Sequence, residues 1–174
     1  MDQQRTITKL RMLKISIMFS LILLVYAVVL GALLEMNKEM IMRSLRDKAT
    51  EALGSKYDNN MSVALKTCND AFQYFVKSQE NAVVFGVTGL VMALIFIRLP
   101  LTQRQKSLPS LCFSFGSILY VFYYLGVGII LPSAAKLEVA KAYVSWLFYP
   151  AIILFSLGLI LFIYHSFRKI VVES

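Results

Sequence analysis

The sequence predicts an all-α membrane protein: a bundle of four transmembrane helices with an extracytoplasmic amphipathic helical hairpin between helices 1 and 2. Four long stretches contain no Asp, Glu, Lys, Arg or His. Each is close to or above the roughly 20 helical residues that cross a hydrocarbon core. Basic residues concentrate in alternate connecting segments. The long segment between the first two stretches has the periodicity of an amphipathic helix.

The charge-free stretches set the segment boundaries. They cover residues 15–34, 81–97, 107–135 and 142–164. Pro100 ends the second span, Pro109 opens the third within its first turn, and Pro132 closes it. The resulting order is a basic tail at 1–14, TM1 at 15–34, the hairpin at 35–80, TM2 at 81–99, a loop at 100–107, TM3 at 108–132, a short loop at 133–141, TM4 at 142–164 and a tail at 165–174.

The distribution of charge predicts the orientation. The two tails and the loop at 98–106 together carry nine basic and two acidic residues, whereas residues 35–80 carry seven of each. Cytoplasmic segments are enriched in Lys and Arg. We therefore expect an integral, multi-pass protein with both termini in the cytoplasm (or matrix) and the hairpin on the other side. A bacterial inner membrane and a eukaryotic membrane both fit this pattern.

The hairpin supplies the first candidate surface. Gly54 is expected to provide a left-handed turn, and the Asx residues after it to cap the returning helix at Asn60. That helix repeats apolar residues with nearly heptad spacing at Met61, Leu65, Cys68, Phe72 and Phe75. Such a seam predicts contact with a partner or a second copy. Pairing of the hairpin within one chain or between chains stays open.

TM3 supplies the second candidate surface, either for helix packing or for a ligand. Its small and hydroxyl-bearing residues are Ser110, Ser114, Gly116, Ser117, Tyr120, Tyr123 and Tyr124. Small residues at helical spacing let helices approach closely, and their hydroxyls can bond across the contact. Alternatively, this face lines a pore or a lipid pocket, since hydroxyls in hydrocarbon need partners.

The remaining residues that could carry chemistry are few. Cys68 and Cys112 lie at opposite ends of the expected bundle, so they are not expected to pair with each other, although a Cys68–Cys68 bridge between copies remains an alternative. His165, the only histidine, makes no metal site by itself. Asn60 begins an Asn-Met-Ser sequence that matches the glycosylation pattern. We expect no cofactor and no metal.

The sequence favours a non-enzymatic protein. It contains no phosphate-binding glycine loop, no C-x-x-C and no nucleophile–His–acid set, so we expect neither nucleotide nor nucleic acid as a partner. The expected partners are membrane lipid and other membrane subunits or further copies of the chain. The first hypothesis is a structural, accessory or assembly subunit of a membrane complex that uses its hairpin for protein contact.

Two alternatives remain. One is an oligomeric channel, holin-like pore or lipid-handling transporter lined by TM3. The other is a sensor or regulatory component without its own output domain, because the hairpin resembles in outline the helical sensing modules of bacterial receptors.

Overall fold

The computed structural model describes the backbone of residues 2–172 and the side chains of residues 14–167. Within that part the chain is helical and contains no strand. The helices are α1 (Asp2–Met36), α2 (Lys38–Glu51), α3 (Leu53–Lys56), α4 (Met61–Arg98), α5 (Gln103–Ala134), α6 (Leu137–Tyr143) and α7 (Ser145–Val172). Most side chains of the basic tails predicted at 1–14 and 165–174 fall outside the described residues.

Four helices are long and apolar enough to cross a membrane: α1 from Lys14 onward, α4, α5 and α7. This confirms the four apolar helices predicted from the charge-free stretches. α5 occupies the centre of the bundle, because it packs against α1, α4 and α7. α1 packs chiefly on α4, and α7 packs chiefly on α5, so these two helices flank the central pair.

The helix ends differ from the expected boundaries in informative ways. α5 begins at Gln103 rather than at Pro109, because Thr102 forms a capping box with Gln105. Pro109 and Pro132 both lie inside this helix. α1 and α2 are nearly continuous, with a single irregular residue at Asn37.

The turn after α3 is made by other residues than expected. No glycine has a positive φ in the described backbone, so the left-handed role predicted for Gly54 is wrong. Asp58 and Asn59 take the left-handed conformation instead, at φ 50° and 60°. Their short polar side chains tolerate it. Asn60 is the Asx residue that caps α4, since its side-chain oxygen accepts from the backbone nitrogens of Ser62 and Val63.

α5 and α7 meet at two glycines, which set the closest approach in the bundle. A Cβ on Gly116 would clash with the backbone nitrogen of Phe155. A Cβ on Gly158 would lie 2.6 Å from the backbone nitrogen of Phe113. Backbone atoms cannot rotate out of the way as side chains can, so both positions require glycine. This contact is the close packing of small residues expected in membrane bundles.

A second close contact joins α1 to α4 and α5. A Cβ on Gly86 would lie 3.0 Å from the carbonyl oxygen of Ser20, and one on Gly89 would clash with the Ser20 hydroxyl. The hydroxyls of Ser16 and Ser114 lie 3.3 Å apart across α1 and α5. All three serines are buried. Glycine and serine thus line this helix contact, beside large buried side chains such as Phe113 and Val121.

The far end of the bundle is a separately packed region, which we call the head. It consists of α2, α3, α6, residues 61–78 of α4 and residues 121–134 of α5. Its core combines residues of α2, α4, α5 and α6 with Leu34 at the end of α1 and with residues that adjoin α3 and α6: Leu34, Leu45, Ala49, Ala52, Tyr57, Ala64, Cys68, Ala71, Phe75, Tyr123, Val127, Leu131, Ala134, Ala140 and Val144. The head therefore contains more than the hairpin at 35–80, because the end of α5 packs into it.

Side chains at the tip of the head donate hydrogen bonds to the free carbonyl groups at the end of α5. The last carbonyls of a helix have no partner within the helix. The Tyr57 hydroxyl donates to the carbonyl oxygen of Pro132 at 2.6 Å, and the Lys56 ammonium donates to that of Ser133 at 2.8 Å. Burial raises the pKa of Tyr57 above its ordinary value, so the hydroxyl keeps its proton at neutral pH. Ala135 then leaves the helix with φ 62°.

Gly116→Ala should destabilise the bundle even though alanine is the better helix former. The added methyl meets backbone, and overpacking of this kind costs about 1–3 kcal/mol. Reversible SDS unfolding followed by circular dichroism would measure the change.

Gly54→Ala is the matched control. Its Cβ would find only the Asn59 side chain, at an ordinary 3.6 Å. This variant should be as stable as the parent or slightly more so. Equal stability of the two variants would contradict the close α5–α7 contact.

Candidate functional site

The predicted seam on α4 divides between the core and the surface. Cys68 and Phe75 are buried in the head core, whereas Met61 and Leu65 are exposed. Phe72 is half-buried and packs against the core, with the ammonium of Lys38 5.8 Å from its ring centre. Only part of the seam is therefore available to a partner, and the other part holds the chain's own head together.

The buried stripe of α4 is made largely of small residues, which explains why the seam was only partly informative. Ala64, Ala71 and Ala82 are fully buried along with Cys68 and Ser78. Alanine and serine add little to a hydrophobic pattern, so the sequence drew attention to the larger neighbours. The actual inward direction is rotated away from Met61 and Leu65.

An open groove lies between α2 and α4, and its lining residue on α4 is Asn69, one helical turn after Leu65. The groove has a volume of about 1070 Å³. Its lining residues are Lys38, Glu39, Met40, Met42, Arg43, Arg46, Asp47 and Asn69. Met40 is strongly exposed. This surface combines apolar side chains with charges of both signs, as protein contact surfaces do.

The small residues predicted on TM3 serve packing within the chain. Ser110, Ser114, Ser117 and Gly116 are all buried in α5. Ser114 contacts Ser16 of α1, and Gly116 contacts the backbone of α7. The hydroxyls of Ser110 and Ser117 have no hydrogen-bond partner among the described residues.

The predicted tyrosines form an aromatic cluster with α4 and α7. The Tyr120 and Tyr124 hydroxyls lie 3.3 Å apart, so these two side chains partner each other. Tyr123 is buried, with its ring centre 4.8 Å from that of Phe148 on α7. Tyr124 stacks on Tyr74 of α4 at 5.8 Å. The cluster joins three helices at the inner end of the head.

A hydrogen-bond chain at the same level joins α1, α4 and α5. The Ser78 hydroxyl donates to the carbonyl oxygen of Val121 at 2.9 Å, so it accepts from the Tyr26 hydroxyl, 3.0 Å away. Ser78 is fully buried. Nothing in the hydropathy pattern marked Tyr26 or Ser78, because each is a single polar residue within an apolar or amphipathic stretch.

Sequence reasoning also missed a second groove, on the opposite side of α4. It lies between α4, the end of α5 and the start of α6, and has a volume of about 460 Å³. Its lining residues are Thr67, Asp70, Gln73, Tyr74, Lys77, Leu131, Ala135 and Leu137. Residues of three elements that are distant in sequence meet here. Only the packing of α5 and α6 into the head reveals it.

Asn60 and His165, which the sequence analysis also named, make contacts with residues close to them in sequence. The Asn60 side chain accepts hydrogen bonds from the backbone nitrogens of Ser62 and Val63 and from the Ser62 hydroxyl. His165 is half-buried near the end of α7, against the ring of Tyr164. Within residues 14–167 no group of three or more His, Cys, Asp or Glu side chains is arranged to hold a metal ion.

Comparison with known proteins gives no relative: no protein-family model, no curated protein and no solved structure matches this chain.

The native cysteines should resist alkylation in the folded protein. Cys68 is 0% exposed and Cys112 is also buried, and both are free thiols. N-ethylmaleimide should add no mass in mild detergent and two labels after SDS denaturation, as read by intact-protein mass spectrometry.

A Ser55→Cys variant provides the positive control, since Ser55 is exposed. It should gain one label without denaturation. Rapid labelling of Cys68, or a disulfide-linked dimer through it, would contradict the packing of the head core.

Proposed function

We propose that this protein is a non-enzymatic subunit of a membrane complex, anchored by four spans and docked to a protein partner through its head. The observation that carries the proposal is the apolar surface that the head leaves uncovered on its α2–α4 side. Met40 lines the larger groove and is exposed, and Leu65 and Met61 are exposed one and two helical turns before Asn69, the groove's lining residue on α4. In a region that lies in water, exposed apolar side chains on one face indicate a contact surface.

The placement of the head in water follows from the alignment of the four helices. Contacts among Tyr26, Ser78, Val121, Tyr123 and Phe148 put one level of each spanning helix side by side. On one side of that level, α4 carries Glu80 close to the boundary and then no further charge until Arg98, about 27 Å of helix further on. That distance matches a hydrocarbon core.

Charges on α4 exclude the bilayer from the other side of that level. Lys77, Asp70 and Lys66 are all exposed there. A charged side chain within hydrocarbon costs several kcal/mol. The end of α5 contains no charge, but it packs beside this charged part of α4, so it lies outside the hydrocarbon too. Lys14 on α1 is somewhat deeper than the other inner charges and reaches the interface through its long stem.

Exposed aromatic residues mark the same boundary on α7. Tyr143, Trp146 and Tyr149 are all exposed at the start of this helix. Tyr and Trp are enriched at the level of lipid headgroups. Together with the basic excess of the tails and the 98–106 loop, this supports cytoplasmic termini and a head on the opposite side.

The pore alternative has less structural support. The serine face of α5 was its expected lining, and that face is packed against α1. A path for solute would have to use other residues, between copies of the chain.

Binding of the partner should depend on residues on one side of α4 only. Leu65 is 39% exposed and Val63 is 45% exposed. At 100° per residue they lie on opposite sides of the buried stripe that includes Ala64. Leu65→Asp should abolish co-purification of partners in mild detergent, because a charge in an apolar contact is not compensated.

Val63→Asp is the matched control and should leave co-purification unchanged. Both variants should fold, since each replaces an exposed side chain; size-exclusion chromatography and circular dichroism check this. If neither variant changes the native mass of the purified assembly, the docking surface lies elsewhere.

The orientation makes a separate prediction. With the native cysteines replaced by alanine, Ser55→Cys should react with a membrane-impermeant maleimide added to intact cells or sealed vesicles, and Gln103→Cys should react only after permeabilisation. The opposite pattern would mean that the head faces the cytoplasm.

A further inference from the structure

We propose that the smaller groove, between α4, α5 and α6, binds the headgroup of a zwitterionic phospholipid from the leaflet on the head side. The phosphate would contact Lys77, and the ammonium group would contact Asp70. This proposal goes beyond partner docking, and it rests on the membrane placement proposed above.

The groove lies at the depth where lipid headgroups lie. Its inner end is formed by Tyr74 and Lys77. Tyr74 stacks on Tyr124, which belongs to the aromatic cluster at the membrane boundary. Its outer end is formed by Thr67 and Leu137. Thr67 and Lys77 are ten residues apart, or about 15 Å along the helix, so the groove begins at the boundary and extends into water.

The order of the charges along the groove matches that of a zwitterionic headgroup whose phosphate lies toward the membrane and whose ammonium group lies further out. Lys77 lies at the boundary, and Asp70 lies seven residues, or about 10 Å, further out. A phosphatidylethanolamine or phosphatidylcholine headgroup has its phosphate next to the glycerol and its ammonium group further out. The cation of the protein therefore faces the lipid's anion, and the carboxylate faces the lipid's cation.

The anion-binding group is held in position. The Lys77 ammonium lies 5.2 Å from the centre of the Tyr74 ring, a cation–π contact. The same ring stacks on Tyr124. A lysine fixed in this way loses less conformational freedom when it binds a phosphate oxygen than a free surface lysine would.

The floor and the approach to the groove suit a lipid rather than a soluble ion. Leu131, Ala135 and Leu137 supply an apolar floor. Toward the membrane, the surface of α4 passes exposed Glu80 and then continues through exposed Val84, Val91 and Ile95, which can contact acyl chains. An anionic lipid without an ammonium group would place no cation beside Asp70, so the site should discriminate against it.

Native mass spectrometry of the full-length protein tests this proposal. The protein is released from nanodiscs that contain equal amounts of phosphatidylethanolamine and phosphatidylglycerol. The parent protein should retain phosphatidylethanolamine over phosphatidylglycerol by roughly fivefold or more, the scale of a charge-assisted contact. Lys77→Gln should reduce retention of both lipids. Asp70→Asn should remove the preference, because the carboxylate alone recognises the ammonium group.

Lys66→Gln and Asp58→Asn are matched controls, since each removes the same charge from an exposed residue outside both grooves. They should behave as the parent does. The proposal would be overturned if the parent protein retained the two lipids in the ratio present in the nanodisc, or if it preferred phosphatidylglycerol. It would also be overturned if the groove variants and the control variants retained the same lipids. The maleimide experiment distinguishes this failure from a wrong membrane placement, since Ser55→Cys reports the orientation independently of any lipid.

Discussion

The structure depends on one constraint: hydrocarbon excludes charge, so helices packed together must have their charge-free segments at a common level. In this chain, α1, α4, α5 and α7 satisfy the constraint only over part of their length. α4 becomes charged from Glu80 toward its start, whereas α5 stays uncharged as far as Ala135. On the membrane placement proposed above, the apolar end of α5 therefore extends past the boundary that α4 sets, where protein covers it instead of lipid.

The head provides that cover, and its design follows from the same constraint. α2, α6 and the start of α4 put apolar residues around the end of α5 and keep their charges outside. The tip then satisfies the last carbonyls through Tyr57 and Lys56. In the middle of the bundle, by contrast, the proposed placement leaves the outer faces of the helices to lipid. There Gly116 and Gly158 let the helix backbones approach closely, which supplies packing where no hydrophobic effect between helices is available.

Much of this architecture could be predicted from the sequence, and the failures have physical reasons. Long charge-free stretches reveal spans because the cost of burying charge dominates, and the Asn60 cap is a local interaction. Gly54 misled because Asp and Asn also tolerate the left-handed conformation. The seam predicted on α4 proved to mix buried and exposed residues. The buried face of α4 is defined by alanines such as Ala71, which contribute little to a hydropathy pattern. The groove at Lys77 requires tertiary contacts with α5 and α6 that no local pattern encodes.

The most direct test is the depth of α5 in the membrane. Phe115, Phe122 and Ile129 lie seven residues apart on one face and are 48%, 46% and 45% exposed. Each is replaced by a spin-labelled cysteine in a background without native cysteines, and collision rates with oxygen and with a water-soluble nickel chelate are measured in bilayers. We expect the label at 115 to collide more often with oxygen than with the nickel chelate, the two collision rates to cross near 122, and the nickel chelate to collide more often at 129. Oxygen dominance at 129 equal to that at 115 would mean that the end of α5 lies in hydrocarbon, which would contradict the head.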